Sequence, residues 1–366
     1  MRGGVQGVGE ETGVSGSRGG SATSRWPAAD VAAAGRLDAA PLAVMPPASN
    51  LNFKIEMTPE EIDDLRRRRY NATVAYLHKP NPELMMIRVK PDFPVPPHLP
   101  GQYTSLGLGN WEPRFPGSQE EELRDGDESR IVLRAYSISH PVLIDGKLVE
   151  GECREWLEFY IVLVKHAPEG SRAPGLTPRL FMLRAGDRLR INEKIAGNFT
   201  LENVRPDDTV VFLSTGTGEA PHNYMLWDLL RRGHRGRILA ACCVRYRRDL
   251  GYLAVHESLM KQFSNYTYLS LTTREAVTGG HKVYIQDLIE SGQLEERLGR
   301  TLDPASTHVY LCGNPKMIGI PSFDRETGEK IYPQPPGVIE LLENRGFRVD
   351  EPRAKVRGNI HYEKYW

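Results

Sequence analysis

The chain has 366 residues, and its 47 basic and 47 acidic side chains give a formal net charge of zero. This length is enough for two domains. Without a basic excess the composition argues against nucleic-acid binding. No apolar run reaches the roughly 18 residues of a membrane span, so membrane insertion is not expected.

The first fifty residues are rich in Gly, Ala, Ser and Pro and lack an apolar segment long enough for a secretory signal. We predict that residues 1–57 are a disordered extension, either a tail or the product of a misassigned start. Thr58 with Glu61 makes a capping box, Pro59 takes the first helical position, and arginines 66–69 close the predicted helix. The arginine run is either a docking patch for an acidic partner or a solvated helix end.

Short alternating segments separated by Pro and Gly follow, and residues 58–205 are assigned to one domain. Six segments are predicted strands: ATVAYLH, LMMIRVK, QYTSLGL, RIVLRAYSI, EWLEFYIVLVK and DRLRIN. Six strands without a long helix between them indicate an antiparallel β-barrel. Residues 109–130 separate the third and fourth strands as a long acidic loop, which either reshapes the carrier-docking surface or, as we expect, is a solvated loop without a role.

From residue 206 to 366 apolar strands alternate with helical stretches. The predicted strands are TVVFLST, RILAACCV, YTYLSLTT and THVYLCG, with helical stretches after each. This order predicts a doubly wound α/β domain, with a parallel sheet and helices on both faces. Residues 319–337 interrupt the pattern before the last helix, either as part of a docking surface or as a solvated loop.

Candidate ligand-binding residues follow three of these strands. The glycine turn GTGEAP comes directly after TVVFLST, where backbone amides and a helix start can approach an anion. It is neither a Walker loop nor the full G-x-G-x-x-G fingerprint. Arg245 and Arg274 end the next two strands, so we expect both at the ligand-binding edge, where guanidinium groups suit a 2′-phosphate.

The four cysteines fit no disulfide framework and no metal site, and they indicate reduced thiols in a cytoplasmic protein. Cys312 ends the strand THVYLCG, where burial is the default interpretation, and no histidine is placed to activate it. On the strand RIVLRAYSI, Arg134 and Tyr136 share one face. A half-buried strand explains the tyrosine but leaves the arginine unexplained.

The ordered set of motifs resembles one family. GQYTSLGL, RAYSI, EFYIVLV, GLTPRL, STGTGEAP, RYRRDLGYL, TTRE, DLIESGQLE, LCGNPKM and the terminal EKYW occur in the order typical of the bacterial ferredoxin:NADP reductases, the flavodoxin/ferredoxin reductases. The resemblance covers about residues 70–366. Each motif alone is weak, whereas the set is specific.

The resemblance implies bound FAD. Tyr136 would stack on the isoalloxazine, Arg134 would neutralise the pyrophosphate, and Ser137 would lie near the flavin N5. The implied FAD residues are Arg134, Ala135, Tyr136, Ser137, Tyr160, Ile161, Val162, Gly175, Leu176, Thr177, Thr217, Tyr365 and Trp366. The terminal aromatics Tyr365 and Trp366 are the candidates for covering flavin or adenine.

The resemblance also implies bound NADP(H). The implied residues are Gly216, Thr217, Gly218, Val244, Arg245, Thr273, Arg274, Lys282, Tyr284, Cys312, Gly313, Asn314 and Met317. Tyr284 stands near where bacterial relatives present a basic residue, and Lys282 is the candidate substitute. Ser137, Cys312 and Glu363 are the implied catalytic residues. Glu219 is a departure, because a carboxylate in the glycine turn would repel a pyrophosphate unless it points away.

We therefore expect an FAD-dependent ferredoxin:NADP(+) reductase with no metal, monomeric, passing hydride between NADP(H) and flavin and single electrons to ferredoxin or flavodoxin. Arginines 66–69 and the segment Arg231–Arg237 are candidate carrier patches, or ordinary surface arginines. One alternative is the reductase component of an oxygenase or another flavin reductase. An alternative of a different class is a non-catalytic dinucleotide-binding or sensor protein.

Overall fold

The computed structural model describes residues 57–275, 282–351 and 356–365. Residues 1–56 of the predicted extension, and Trp366, lie outside the described residues. The first element is helix α1 (Pro59–Arg69). The Glu61 amide donates to Thr58 Oγ1 over 3.2 Å and the Thr58 amide donates to Glu61 Oε2 over 2.8 Å, so the predicted capping box is confirmed.

The six predicted strands of the first domain are confirmed. The elements after α1 are β1 (Ala72–Asn81), β2 (Leu84–Pro91), β3 (Tyr103–Gly109), β4 (Ile131–Ser137), β5 (Leu143–Ile144), β6 (Lys147–Leu148), β7 (Leu157–Val162), α2 (Thr177–Leu180) and β8 (Arg188–Ile191). Six strands form one antiparallel sheet in the order β4-β3-β8-β1-β2-β7. The Ser139 amide donates to the Glu158 carbonyl over 2.8 Å in an isolated bridge that joins the two outer strands, and the sheet thereby closes on itself.

The acidic loop between β3 and β4 is more than a solvated connection. Glu121 Oε2 lies 2.7 Å from Arg114 Nη1 and 2.8 Å from Arg179 Nη2. Both arginines are buried, and a buried guanidinium is stable only when a carboxylate and hydrogen bonds replace water. The centre of the loop is therefore anchored to the barrel, contrary to the expectation of a merely solvated segment.

The second domain is a five-stranded parallel sheet with helices. Its elements are β9 (Thr209–Thr215), α3 (Glu219–Arg231), β10 (Ile238–Val244), α4 (Leu253–Gln262), β11 (Tyr266–Thr272), α5 (Ile285–Glu290), α6 (Gln293–Leu298), β12 (Thr307–Gly313), α7 (Pro315–Ile318), β13 (Ser322–Phe323), β14 (Lys330–Ile331), α8 (Val338–Glu343) and β15 (Ile360–Lys364). The order is β11-β10-β9-β12-β15, with every neighbouring pair parallel. The strand order reverses between β9 and β12, the switch point where ligands bind in such sheets.

Alternate residues of β9 pack into two different cores. Val210 and Phe212 belong to the cluster shared with the barrel, whereas Val211 and Leu213 belong to a cluster with α5, α6 and α8. The sheet is thus covered on both faces, which confirms the doubly wound prediction. The proposed division at residue 205 lies between β8 and β9 and stays a prediction. Among the described residues no helix is long and apolar enough to cross a membrane.

Three features differ from the simple sequence pattern. The helical stretch YIQDLIESGQLEERLG, which follows the strand YTYLSLTT, breaks between α5 and α6 at Gly292, whose φ of +76° is in the left-handed region that glycine tolerates. The inserted residues 319–337 form the hairpin β13–β14, closed at its base where Gly319 and Gly337 touch backbone to backbone. The terminal segment is a strand, β15, that completes the sheet.

Candidate active site

The middle of strand β4 is exposed at three consecutive residues, Leu133, Arg134 and Ala135. Leu133 is 43% exposed, which is unusual for a large apolar side chain in a strand. The Arg134 guanidinium donates to the Leu133 carbonyl over 2.8 Å and forms no ion pair within the described part of the chain. Tyr136 packs against the barrel core, and its burial raises its pKa. An apolar side chain, a free guanidinium and an aromatic ring thus lie along one short strand.

The end of β4 meets the second domain through a short hydrogen bond. Ser137 Oγ donates to Glu363 Oε2 over 2.6 Å, between residues 226 positions apart in the sequence. Burial raises the pKa of Glu363, and the hydrogen bond from Ser137 opposes that shift. Two of the three residues predicted to be catalytic are therefore in direct contact.

Cys312, the third of these residues, lies beside the first two. It is the register partner of Glu363 in the parallel pair β12 and β15, and it is fully buried. Burial raises the pKa of its thiol well above the usual range, with the charge of Glu363 adding to the shift. The thiol is therefore neutral and a poor nucleophile, in agreement with the rejection of covalent catalysis.

Tyr365 follows β15 and stays attached to the sheet. Its amide donates to the Gly313 carbonyl over 3.0 Å, and its ring packs against the core cluster that contains Cys312. Burial raises the pKa of Tyr365, and the charges of Cys312 and Glu363 add to this, so the phenol is neutral. The predicted aromatic cover thus lies beside the predicted catalytic residues.

The glycine turn Gly216–Gly218 lies at the switch point. A Cβ on Gly218 would lie 2.2 Å from the Cys312 carbonyl oxygen, so only glycine allows this approach of the turn to β12. A Cβ on Gly216, by contrast, would meet nothing within 4 Å, and its φ is +54°. Thr217 between them is buried. One glycine is needed for packing, and the other borders open space next to the start of α3.

Glu219 points away from that open space. Its carboxylate is buried, Tyr268 Oη donates to Oε1 over 2.8 Å, and His256 Nε2 lies 3.0 Å from the same oxygen. The ring of His256 stacks on Tyr268 with centroids 4.0 Å apart. The Glu219 carboxylate, which departs from the family pattern, therefore points into the core of the second domain, where it contacts Tyr268 and His256.

Arg245 and Arg274 are neighbours at the carboxyl ends of β10 and β11. The Arg274 amide donates to the Arg245 carbonyl over 2.9 Å, and the Thr273 amide donates to the Val244 carbonyl over 3.0 Å. Both arginines are exposed, and neither guanidinium forms an ion pair within residues 57–275, 282–351 and 356–365. Guanidinium groups suit phosphate oxygens, so the part of Arg245 and Arg274 in binding a dianion stays a prediction that this placement allows.

Comparison with known proteins agrees with this geometry. Residues 212–322 match the family model described as "Oxidoreductase NAD-binding domain". The flavodoxin/ferredoxin-NADP reductase of Escherichia coli is 34% identical over 230 residues, which cover 62% of this chain and 77% of that protein. The chain belongs to the flavodoxin/ferredoxin-NADP reductase family. It is thus an oxidoreductase of that family.

Other relatives lie further away. The ferredoxin-NADP reductase of Pseudomonas aeruginosa is 29% identical over 230 residues, covering 60% of this chain and 82% of that protein. The solved structure of a ferredoxin NADP+ reductase from Neisseria gonorrhoeae, with bound FAD and NADP, superimposes with a TM-score of 0.56 at 20% identity over 80% of this chain and 97% of that chain. This structural likeness establishes the fold.

The predicted FAD residues of β7 face two ways in this chain. Ile161 lies in the barrel core, whereas Tyr160 and Val162 pack in a small cluster with Tyr252 of the second domain. Tyr160 Oη accepts a hydrogen bond from the Gly251 amide over 2.9 Å. These side chains are engaged within the protein, so an FAD contact by this strand stays a prediction.

The predicted second phosphate turn, Gly175–Thr177, lies beneath the acidic loop. A Cβ on Gly175 would lie 3.1 Å from Glu121 Oε1, and Leu176 is buried in the barrel core. Thr177 Oγ1 accepts from the Val164 amide over 3.1 Å. The loop that was expected to be free of the site therefore borders one of its predicted parts.

The remaining predicted NADP residues are spread around the carboxyl edge. Asn314 caps α7 through the Lys316 amide, and Met317 is buried in the second core. Lys282 is exposed and Tyr284 is 47% exposed at the start of α5. No described contact joins Lys282 or Tyr284 to Arg245 or Arg274, so their part in a phosphate pocket stays a prediction.

Most arginines of both candidate carrier patches form ion pairs within the protein, with Asp64 and Asp228 each serving two arginines. Arg66 Nη2 lies 2.7 Å from Glu112, and Arg67 and Arg68 pair with Asp64. In the second run, Arg231 and Arg232 pair with Asp228, and Arg235 pairs with Asp207. Charges that are paired locally attract an acidic protein only weakly, which favours the interpretation of ordinary surface arginines.

Sequence reasoning missed the residues that join the two domains. Tyr252 contacts Ser139 and Glu158 of the barrel, and Asp249 contacts Asn81. The only signal was the segment RYRRDLGYL, which served as a family motif without an assigned role. Contacts between residues about 100 positions apart leave no local pattern in a sequence.

Proposed function

We propose that the protein is an FAD-dependent oxidoreductase that passes hydride between NADP(H) and flavin and exchanges single electrons with a ferredoxin or flavodoxin. The contact of Ser137 with Glu363 carries this proposal. It joins the strand predicted to hold the flavin to the strand edge predicted to hold the nicotinamide. The relatives from E. coli and P. aeruginosa, whose names specify flavodoxin or ferredoxin and NADP, support the choice of carrier and cofactor.

The residues along β4 fit an FAD molecule. Arg134 has a guanidinium without a carboxylate partner among the described residues, which suits a pyrophosphate. Tyr136, on the same face of β4 as Arg134, offers an aromatic surface, whereas the exposed Leu133 lies on the other face of the strand. A half-buried barrel strand explains the tyrosine but not a guanidinium without a carboxylate partner, so a ligand explains Arg134 better than packing does.

The residues at the switch point fit NADP. Gly216 leaves open space at the start of α3, where amides and the helix dipole favour a pyrophosphate. Arg245 and Arg274 supply the positive charge for a 2′-phosphate, which NAD lacks. Because Glu219 points into the core, the main objection to dinucleotide binding is removed, and with it the best support for a non-catalytic sensor.

When bound, the flavin supplies the chemistry, because it accepts a hydride and releases electrons one at a time. Ser137 Oγ keeps its own proton and donates a hydrogen bond to Glu363 Oε2, while the Glu363 carboxyl, whose pKa is raised by burial, can take or release a separate proton. Cys312 and Tyr365 remain neutral, fill the space around that pair and exclude water.

The proposal is tested by anaerobic titration of the purified protein with NADPH and, in parallel, NADH. We expect the purified protein to contain bound flavin, and we expect the absorbance of this flavin to be bleached at a far lower concentration of NADPH than of NADH. Reduction of cytochrome c should then depend on added ferredoxin or flavodoxin. Protein that binds no flavin, or flavin that neither nucleotide bleaches, would contradict the proposal.

Arg274→Ala sharpens the same test. Removing one guanidinium from the phosphate pocket should weaken NADPH binding about tenfold or more, while the weaker reaction with NADH changes little. The matched control is Arg300→Ala, which removes an exposed arginine in the turn after α6. This control should change neither NADPH binding nor the reaction with NADH. Equal losses for NADPH and NADH in Arg274→Ala would show that the arginine does not recognise a 2′-phosphate.

A further inference from the structure

The seam where the barrel closes is occupied by a side chain from the other domain. The Ser139 amide and the Glu158 carbonyl make the closing hydrogen bond between the end of β4 and β7. Tyr252, at the start of α4, places its hydroxyl 3.2 Å from Ser139 Oγ and 3.2 Å from Glu158 Oε1. All three residues are buried. A residue of the nucleotide domain is thus built into the closure of the barrel.

The donors of this cluster can be assigned. Glu158 accepts from Arg88 Nε over 2.9 Å at Oε2, and from Tyr252 Oη at Oε1. Because the tyrosine proton is used on the carboxylate, the Ser139 hydroxyl donates to the tyrosine oxygen. Arg88 in turn lies between the rings of Tyr76 and Trp156. Every member has a partner, and such fully satisfied buried networks hold one geometry.

The segment Arg245–Tyr252 connects Tyr252, at the barrel seam, to Arg245 of the predicted phosphate pocket. Tyr160 Oη of the barrel accepts from the Gly251 amide over 2.9 Å, and Asn81 Nδ2 donates to the Arg248 carbonyl over 2.9 Å and lies 3.2 Å from Asp249 Oδ1. Asp249 Oδ2 accepts from the Tyr246 amide, which keeps the segment folded. A short stretch of chain therefore links Arg245 to the barrel seam.

The seam is also close to the reacting end of β4. Ser139 is two residues after Ser137, and the Ile138 amide between them is held by the Gln102 carbonyl. Two planar peptide groups connect Ser139 to Ser137, and the hydrogen bond from the Ile138 amide to Gln102 restricts the rotation between them, so a shift of Ser139 is transmitted to Ser137. We propose that Tyr252 is a positioning residue for hydride transfer: through Ser139 and Glu158 it fixes Ser137 and the flavin strand relative to the nucleotide domain. This role rests on the proposed function.

The test compares Tyr252→Phe with Tyr266→Phe. Each change removes one buried hydroxyl, but Tyr266 Oη contacts His256 Nδ1 at 2.7 Å within the second domain and touches no barrel residue among its described hydrogen bonds. We expect Tyr252→Phe to slow flavin reduction by NADPH about tenfold, with the NADPH dissociation constant changed less than twofold. Tyr266→Phe should change neither.

A second readout needs no bound cofactor. Amide hydrogen exchange of the full chain, with and without flavin, should become about tenfold faster at Ser139 in Tyr252→Phe and stay unchanged there in Tyr266→Phe. Unchanged exchange at Ser139, or an unchanged reduction rate, overturns the positioning role while the proposed function stands. Wild-type protein that NADPH does not reduce would instead contradict the proposed function, and the role in hydride transfer with it.

Discussion

The two ends of β15 are bonded in different ways. At its start, His361 Nδ1 donates to Asp350 Oδ2 over 2.7 Å, Nε2 lies 3.1 Å from His308 Nδ1, and the ring stacks on Tyr310. At its end, the described hydrogen bonds of the Glu363 side chain come to one, from Ser137 across the domain boundary. The His361 side chain thus finds its partners within its own domain. The Glu363 side chain depends on the other domain for its hydrogen bond, and its carboxylate can accept further hydrogen bonds.

This difference separates stability from function along five residues of one strand. The polar groups at the start of β15 have partners that hold the strand in the sheet. Glu363 is buried enough to raise its pKa but has fewer partners than a carboxylate can accept. The raised pKa and the incomplete hydrogen bonding of Glu363 agree with its proposed role in proton transfer.

The largest effect is expected for a substitution of Glu363, at the end of β15. Glu363→Gln keeps the size of the side chain and an oxygen for Ser137 but removes the ability to take a proton. We expect flavin reduction by NADPH to slow about 100-fold, which is the scale of proton-transfer catalysis, with little loss of stability. Stopped-flow absorbance from pH 5 to 9 measures it.

The pH profile adds a check on the same variant. Because the pKa of Glu363 is raised, the acidic limb of the wild-type rate should lie above the ordinary range of a glutamate, and Glu363→Gln should lack that limb. A wild-type rate and profile in the variant would show that the carboxylate only fills space.

The next effect concerns the start of the strand. His361→Ala removes two hydrogen bonds and a stacked ring, and we expect the free energy of unfolding to fall by about 2 kcal/mol. Urea unfolding measures it, with the exposed His78→Ala as matched control, expected within about 0.5 kcal/mol of wild type. The reduction rate per folded molecule should stay within about twofold. A large loss of rate would contradict the separation of the two ends.

The smallest effect is a pH dependence of stability at the same end. Burial, with the neighbouring His361, lowers the pKa of His308 to about 4. Between the ordinary value of about 6.5 and pH 4 the unfolded chain therefore binds a proton that the folded chain does not, and stability falls as the pH falls through this window. His308→Gln should make that fall shallower in urea titrations at pH 7, 6 and 5. An unchanged slope would assign the dependence to other buried histidines, such as His140 and His222.

Much of the fold was open to sequence reasoning because its signals are local. Alternation in six short segments predicted the strands of the barrel, and Thr58 with Glu61 predicted the start of α1. The same reasoning did not predict that the terminal segment forms a strand. Five residues that include a histidine, a glutamate and a lysine carry no clear strand pattern, and β15 exists because β12 offers it an open edge.

By itself the sequence determined which residue types are available for chemistry: the Arg-x-Tyr-Ser stretch, the glycine turn, the paired arginines and the acidic, aromatic terminus. Each of these motifs can be recognised from residues that lie within a few positions of one another in the sequence. Only the tertiary structure decided that Glu363 meets Ser137, that Glu219 turns toward His256 and Tyr268, and that Tyr252 completes the barrel seam. These contacts join distant parts of the chain, and burial and hydrogen bonding select them only when both domains are folded together.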